Sequence, residues 1–420
     1  MMVRSTRGGN EVPLSQAILQ GLAPDGGLFM PPQIPKQTGP WGHGLVAQAE
    51  QILAPYCAGD TLATHLHTML HEAFTFHAPT AWLTPTTGLL ELFHGPTAAF
   101  KDFGARFLAA AMHRLIPVGS MNTILVATSG DTGAAVASAF QSLPGFRVII
   151  LYPSGRVSPR QAHQLGAFGD TVRACEVQGT FDDCQRLVKE AFADPVLRAS
   201  HRLTSANSIS LGRLLPQITY FAHAAMESVA SGHGVPSFVV PTGNLGNALA
   251  CMLAREAGFP IDRVVCATNA NRAIADLAFT GRYAPAHTIA TLANAMDVGA
   301  PSNVERLLHR ISNDGTPLEA DWVDDASIRK VITQTFADFG RAICPHTACG
   351  VEVLRRLRQT GTTGTWIVAA TAHPAKFQSI VEPLIGTSIP MPPSLATLLA
   401  QPTISEPLEP ALHALARILA

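Results

Sequence analysis

Apolar, β-branched runs that pass through a glycine-bearing turn into small residues at helical spacing recur along the chain. That pattern predicts strand, loop and helix in that order. It is plainest in TILVATSGDTGAAVASAF (123–140) and SFVVPTGNLGNALACMLAREAG (237–258). Short apolar runs at RVIILY (147–152), TVRACEV (171–177), RVVCATN (263–269) and TWIVAAT (365–371) predict further strands. FDDCQRLVKEAFAD and DASIRKVITQTFADFGRAI predict helices between them, so the chain reads as α/β with largely parallel sheets. Near the start, GLAPDGGLFMPPQIP is turn-dense and fits the surface of an N-terminal lobe or, equally, a lid. The Pro-rich IPMPPSLATLLAQPTISEP (389–407) reads as an extended tail wrapped on the body and closed by a short helix, EPALHALARIL. Three segments are expected: an N-terminal lobe (1–88), a small α/β domain (89–206) and a large α/β domain with the tail (207–420).

Composition narrows the partners. A chain of 420 residues, 47% hydrophobic and 14% charged, can bury a sizeable core as two or three closely packed lobes. A formal net charge of -1 without long basic runs argues against nucleic acid or an anionic membrane surface, leaving small molecules as the expected ligands. The 7 cysteines are scattered, odd in number and never spaced CxxC. That disfavours both a disulfide framework and a metal site, and fits a reducing cytoplasm. No apolar core precedes Glu11 and no run is long enough to span a bilayer, so neither export nor a membrane anchor is expected.

In open α/β sheets ligands gather beyond the carboxyl ends of strands, where both glycine loops fall. SGDTG (129–133) and GNLGN (243–247) put backbone N–H groups at helix starts, where an anion is favoured. Either loop alone is matched by an ordinary tight turn; two together suggest two anionic groups. Neither fits GxxxxGK[ST] or GxGxxG, which removes most support for nucleoside triphosphates and NAD.

Only five lysines occur, and Lys101 stands between Phe100 and Phe103 in FHGPTAAFKDFGARFLAAAM (93–112). Partial desolvation there would lower its pKa and free the amine as nucleophile and base. The commoner alternative is a lysine whose ammonium reaches water past its apolar stem. Lys376, in TAHPAKF, is the rival in a similarly apolar setting, and Asp102 reads as a helix-start carboxylate. SANSISLGRLLPQ (205–217) gathers Asn207, Ser208, Ser210 and Arg213, either donors with a planar fork for phosphate or an N-cap with a surface arginine. Thr371 ends a strand, where its hydroxyl could meet a ring nitrogen or merely cap the strand.

Together, ELFHGPTAAFKDFGARFLA, ATSGDTGAAVA, NSISLGRLLPQ, PTGNLGNALA, AMDVGAPSNVERL, PHTACG and TAHPAKF, with APDGGLFMP near the start, resemble bacterial threonine synthases. The resemblance runs in the family's order from about residue 4 to residue 378 and therefore covers nearly the whole chain. It implies a pyridoxal 5'-phosphate enzyme of fold type II, the tryptophan-synthase-β-like class, with two parallel-sheet α/β domains and an N-terminal lobe. By resemblance Lys101 is the Schiff-base lysine. Gly243, Asn244, Leu245, Gly246 and Asn247 form the cofactor-phosphate loop, and Thr371 faces the pyridine nitrogen. Ser129, Gly130, Asp131 and Thr132 meet the substrate carboxylate and the cofactor ring, while Asn207, Ser208 and Arg213 surround the substrate phosphate. Ser210 stands where asparagine is expected and Leu245 where phenylalanine is usual.

The implied reaction converts O-phospho-L-homoserine and water to L-threonine and phosphate, in a monomer or homodimer. A threonine or serine dehydratase would need the lysine and the phosphate loop but no second phosphate site. A catalytically silent metabolite-binding relative and a nucleotide-binding α/β protein are the readings from other classes. No added N-terminal regulatory segment is expected, and a lobe around residues 120–205 is the part expected to move on closure.

Overall fold

The computed structural model describes residues 1–315 and 317–420. Three sheets organise the chain. A small antiparallel sheet near the start joins Gly8–Pro13, Met2–Ser5 and Phe29–Met30. A six-stranded sheet runs Glu319–Trp322, Val264–Thr268, Pro236–Pro241, Thr365–Ala370, Thr87–Glu91 and Thr80–Thr84. All its neighbours are parallel except the last pair. The third sheet, Ser405–Leu408, Val172–Val177, Phe146–Pro153, Asn122–Ala127 and Leu203–Thr204, is parallel throughout.

Parallel strands with helices on both faces have no solvent side, which is why the central strands are apolar runs without alternation. Every residue of Pro236–Pro241 and of Thr365–Ala370 is buried. The helix Leu211–Ala230 is buried along most of its length and packs against both Lys101–Leu115 and Gly246–Glu256. The predicted strands and the two predicted helices appear within a residue or two, except that the second helix stops at Phe339 because Gly340 adopts a left-handed φ of 62°.

One arrangement positions the site. Thr87–Glu91, Thr365–Ala370 and Pro236–Pro241 are consecutive parallel neighbours. Their carboxyl ends therefore lie along one edge, delivering the loop before Lys101, Thr371 and the GNLGN loop to the same place.

The C-terminal tail does more than wrap. After the helix Pro393–Leu399, Ser405–Leu408 pairs in parallel with Val172–Val177 as an edge strand of the five-stranded sheet. An unpaired strand edge offers a row of N–H and C=O groups, and an edge position tolerates Pro407. The helix Leu412–Leu419 then packs on Phe181–Ala193, burying Leu415 and Leu419 beside Cys184 and Leu187. Sheet membership thus cuts across the segments 1–88, 89–206 and 207–420: Thr80–Thr84 and Thr87–Glu91 belong to the six-stranded sheet, and the tail strand to the five-stranded one.

The turn-dense GLAPDGGLFMPPQIP is pinned rather than free. Asp25 Oδ1 accepts from the Ser5 hydroxyl at 2.8 Å and the Gly27 N–H at 2.9 Å, and Phe29–Met30 pairs with Met2–Ser5. No helix among the described residues is long and apolar enough to cross a membrane.

Candidate active site

Lys101 opens the helix Lys101–Leu115. The preceding loop is shaped by Asp102, which is fully buried and accepts from the Thr97 N–H at 2.9 Å and the Thr97 hydroxyl at 2.6 Å. Burial raises the Asp102 pKa, against the opposing pull of those two hydrogen bonds. The Phe100 N–H donates to Thr371 O at 2.9 Å, and Ala99 bridges Ala372. Lys101 and Thr371, 270 residues apart in sequence, are joined by this seam. Thr371 itself is buried.

The two rival lysines differ sharply. Lys376 is buried with its ammonium 2.7 Å from Asp131 Oδ1 and 2.8 Å from Thr97 O, so its charge is matched. Lys101 has no hydrogen bond or ion pair among the described residues; its ammonium lies 5.3 Å from the Phe100 ring centre. Burial pushes the Lys101 pKa down to about 8, and nearby Lys376 and Arg213 push the same way against Asp131.

Asp131 heads the helix Asp131–Phe140 within the SGDTG loop. Burial would raise its pKa, but Lys376, Lys101 and His346 overcome this and hold the carboxyl well below the usual range. Its Oδ1 also accepts from Gln161 Nε2 at 2.9 Å, and Gln161 Oε1 accepts from Asn294 Nδ2 at 2.9 Å. Next to Asn294, the Ala295 N–H donates to His346 Nε2 at 3.1 Å. His346 is buried, and burial together with Lys101 and Lys376 outweighs Asp131, lowering its pKa to about 4. Beside Ala295, Met296 packs its main chain on Gly243, where a Cβ would lie 2.7 Å from Met296 Cα. Ser129 and Thr132 flank Asp131 half-buried, and Thr128 Oγ1 accepts from the Gly130 N–H at 3.0 Å and the Gly133 N–H at 2.9 Å.

In the second loop Leu245 takes a left-handed φ of 66° immediately before the helix Gly246–Glu256. A left-handed residue at a helix start turns successive N–H groups toward one concavity suited to an anion. Asn244 Nδ2 donates to Ser208 Oγ at 2.6 Å, and Asn303 Nδ2 donates to Asn244 O at 3.0 Å. Tyr220 OH donates to Asn247 Oδ1 at 2.6 Å, while the buried Asn247 Nδ2 finds no partner among the described residues.

Arg213 is not a surface residue. It is 2% exposed beneath Gly104, where a Cβ would meet Arg213 O at 2.7 Å, and its Nη1 donates to Ala206 O at 2.6 Å. Burial lowers its pKa to about 10 against the pull of Asp102, and its Nε has no partner among the described residues. Ser210 Oγ is likewise buried and unpartnered, consistent with a side chain too short for the contact expected of asparagine. Asn207 is half-buried, with its main-chain N–H on Ser205 Oγ at 3.2 Å.

These features fit a phosphate-bearing aldehyde: an uncommitted lysine amine, a backbone cradle, and two buried donors, Asn247 Nδ2 and Arg213 Nε, that have no hydrogen-bond partner among the described residues. Among the described residues no group of three or more His, Cys, Asp or Glu could hold a metal ion. Gln161, Asn294, Asn303, Arg306 and His346 lie in or next to this network without having been singled out from the sequence. Three of them, Asn303, Arg306 and His346, fall inside AMDVGAPSNVERL and PHTACG, motifs whose chemistry local spacing does not reveal.

Residues 89–371 match the family of pyridoxal-phosphate dependent enzymes, residues 3–74 the threonine synthase N terminus, and residues 347–418 the threonine synthase C-terminal region. A threonine synthase from Haemophilus influenzae is 39% identical over 405 residues, covering 95% of this chain and 94% of that protein. The crystal structure of threonine synthase from Escherichia coli superposes with a TM-score of 0.91 at 35% identity, over 100% of this chain and 99% of that one. The PLP-bound threonine synthase of Brucella melitensis gives 0.90 at 32% identity, over 100% and 98%. By sequence along its whole length and by fold, the chain belongs to the threonine synthase family of pyridoxal-phosphate-dependent enzymes.

Proposed function

We propose that this enzyme converts O-phospho-L-homoserine and water to L-threonine and phosphate, with Lys101 as the covalent anchor of the cofactor. The observation that carries the assignment is the contrast between the two lysines: the buried Lys376 is committed to Asp131, whereas the half-buried Lys101 has a pKa of about 8 and, among the described residues, no hydrogen bond or ion pair. An amine in that range is partly neutral near physiological pH and serves as nucleophile and base. Gly243, Asn244, Leu245, Gly246 and Asn247 would hold the cofactor phosphate, Thr371 would face the ring nitrogen, and Asp131 would lie by the ring. Bound there, pyridoxal phosphate supplies an electron sink for carbanion chemistry on an amino acid.

The remaining steps belong to the side chains. Lys101 moves protons at the substrate Cα and then at Cβ, where water adds. Ser129, Gly130 and Thr132 hold the substrate carboxylate at the start of Asp131–Phe140, favoured by the helix dipole. Arg213, with its free Nε, and Asn207 and Ser208 stabilise the phosphate that departs from Cγ. The parallel sheets flanking the site support fold type II, and 7 buried free thiols support a reducing compartment such as the cytoplasm.

The test is Lys101→Ala, with an absorbance scan and a joint assay of phosphate and threonine. Expected are loss of the visible cofactor band and of both products; retained turnover would remove Lys101 from its role. In the wild type, phosphate and threonine should appear in equal amounts. Ammonia without phosphate would turn the reading to a dehydratase.

A further inference from the structure

Behind the GNLGN loop lies a buried cation with no counter-ion among the described residues. Arg306, on the helix Val304–Asp314, is fully buried. Its Nε and Nη2 donate to Phe29 O at 3.1 and 2.9 Å, Nη2 donates to Ile209 O at 2.6 Å, and Nη1 donates to Asn303 Oδ1 at 2.7 Å. Every acceptor is a neutral oxygen, and among the described residues no carboxylate contacts it. Glu305 next to it is taken by Arg7 at 2.9 Å.

Burial pushes the Arg306 pKa down to about 9 despite Glu305. A desolvated guanidinium among neutral acceptors is costly unless an anion nearby completes it. The anion implied by this site stands on the other side of Asn303. That amide accepts from Arg306 through Oδ1 and donates from Nδ2 to Asn244 O at 3.0 Å, while the adjacent Ser302 N–H donates to Asn244 Oδ1 at 2.5 Å. Two hydrogen bonds therefore link the guanidinium to the loop.

We infer that Arg306 is a positioning residue for the cofactor phosphate, holding the 243–247 loop in its anion-binding shape through Asn303 and adding a buried positive charge behind it. The inference rests on the reading of 243–247 as the phosphate loop. Arg306 also ties the N-terminal lobe, at Phe29, and the 205–213 segment, at Ile209, to that loop, so both flanks of the site share one anchor.

The experiment compares pyridoxal 5'-phosphate with pyridoxal, which keeps the aldehyde and ring but lacks the phosphate. Dissociation constants of both are measured by absorbance titration of the apoprotein of wild type, Arg306→Gln and Arg306→Lys. The expected result is that Arg306→Gln lowers affinity for pyridoxal phosphate by about tenfold or more, the size of effect that outer hydrogen-bond partners exert on a ligand set, with pyridoxal affinity unchanged. Arg306→Lys, which keeps the charge but not the fork, should recover part of the preference. An unchanged ratio, or an equal loss for both ligands, would overturn the inference and leave Arg306 a purely structural residue. Should Arg306→Gln not fold, Asn303→Ala cuts the same link: a reduced ratio sustains the inference and a wild-type ratio ends it. A wild type that binds both ligands equally would instead refute the phosphate-loop reading beneath it.

Discussion

Replacing Lys376 by methionine removes one half of a buried ion pair and leaves the other half in place. At 2.7 Å, and with an effective dielectric constant of about 20, the gross attraction between Lys376 and Asp131 is about 6 kcal/mol. Burying two charges costs several kcal/mol per ion, so the pair as a whole contributes little net stability. Removing only the lysine is different, because Asp131 keeps its desolvation cost with Gln161 as its one remaining hydrogen-bond donor among the described residues. The expected loss is about 3–5 kcal/mol, read from urea unfolding of the apoprotein at pH 7.5. The double variant Asp131→Asn with Lys376→Met removes both charges and should recover most of that loss.

A second readout separates electrostatics from packing. Lys376 lowers and Asp131 raises the pKa of Lys101. Without Lys376 one of the influences that oppose Asp131 is gone, leaving burial and Arg213, so the Lys101 pKa rises from about 8. The pH midpoint for capture of pyridoxal by the apoprotein should therefore move upward in Lys376→Met. Equal stability of the single and double variants, or an unmoved midpoint, would refute the claim that this pair sets the charge balance of the site.

Two further outcomes follow from other residues. His346 is held to about 4 in the folded protein and titrates near 6.5 when unfolded. Between those values the unfolded chain binds a proton the folded chain refuses, so stability falls as pH drops through that window, by up to about 3 kcal/mol at about 1.36 kcal/mol per pH unit. The fall in unfolding free energy between pH 7 and 4.5, from urea curves, should be smaller in His346→Gln than in wild type by about 2.5 kcal/mol; parallel profiles in variant and wild type would exclude His346 as the source. For Gly243→Ala, the new Cβ would sit 2.7 Å from Met296 Cα, a main-chain atom that no rotamer can move. The loop must shift, so the protein should fold while losing at least about tenfold in cofactor affinity by absorbance titration, and an unchanged affinity would show the contact to be slack.

Much of this site is legible in the chain because its key residues sit in local grammar. GNLGN and SGDTG each follow an apolar strand, and the strand end and helix start that make them anion cradles depend on neighbours only a few residues away. Lys101 is conspicuous for the same reason, since Phe100 and Phe103 announce an apolar setting. The tail was less legible: Ser405–Leu408 carries a proline and no alternation, and its strand form depends on the free edge of Val172–Val177 more than 200 residues earlier.

What the sequence alone determined is therefore the α/β class, the strands, the two glycine loops and a lysine suited to covalent chemistry. The apolar setting alone did not distinguish Lys101 from Lys376; the resemblance of the motif around Lys101 chose between them, and folding adds the physical difference, the carboxylate of Asp131 in direct contact with Lys376 but not with Lys101. Nor did the sequence mark Arg213 or Arg306 as buried. An arginine is ordinarily placed at the surface, and only the packing of Leu211–Ala230 under Gly104, and of Val304–Asp314 against the carbonyls of Phe29 and Ile209, takes these two out of water. Periodicity and turn chemistry act over a few residues and survive in a string of letters. Charge pairing and desolvation are set by distances between segments hundreds of residues apart, and exist only once three parallel strands end along one edge.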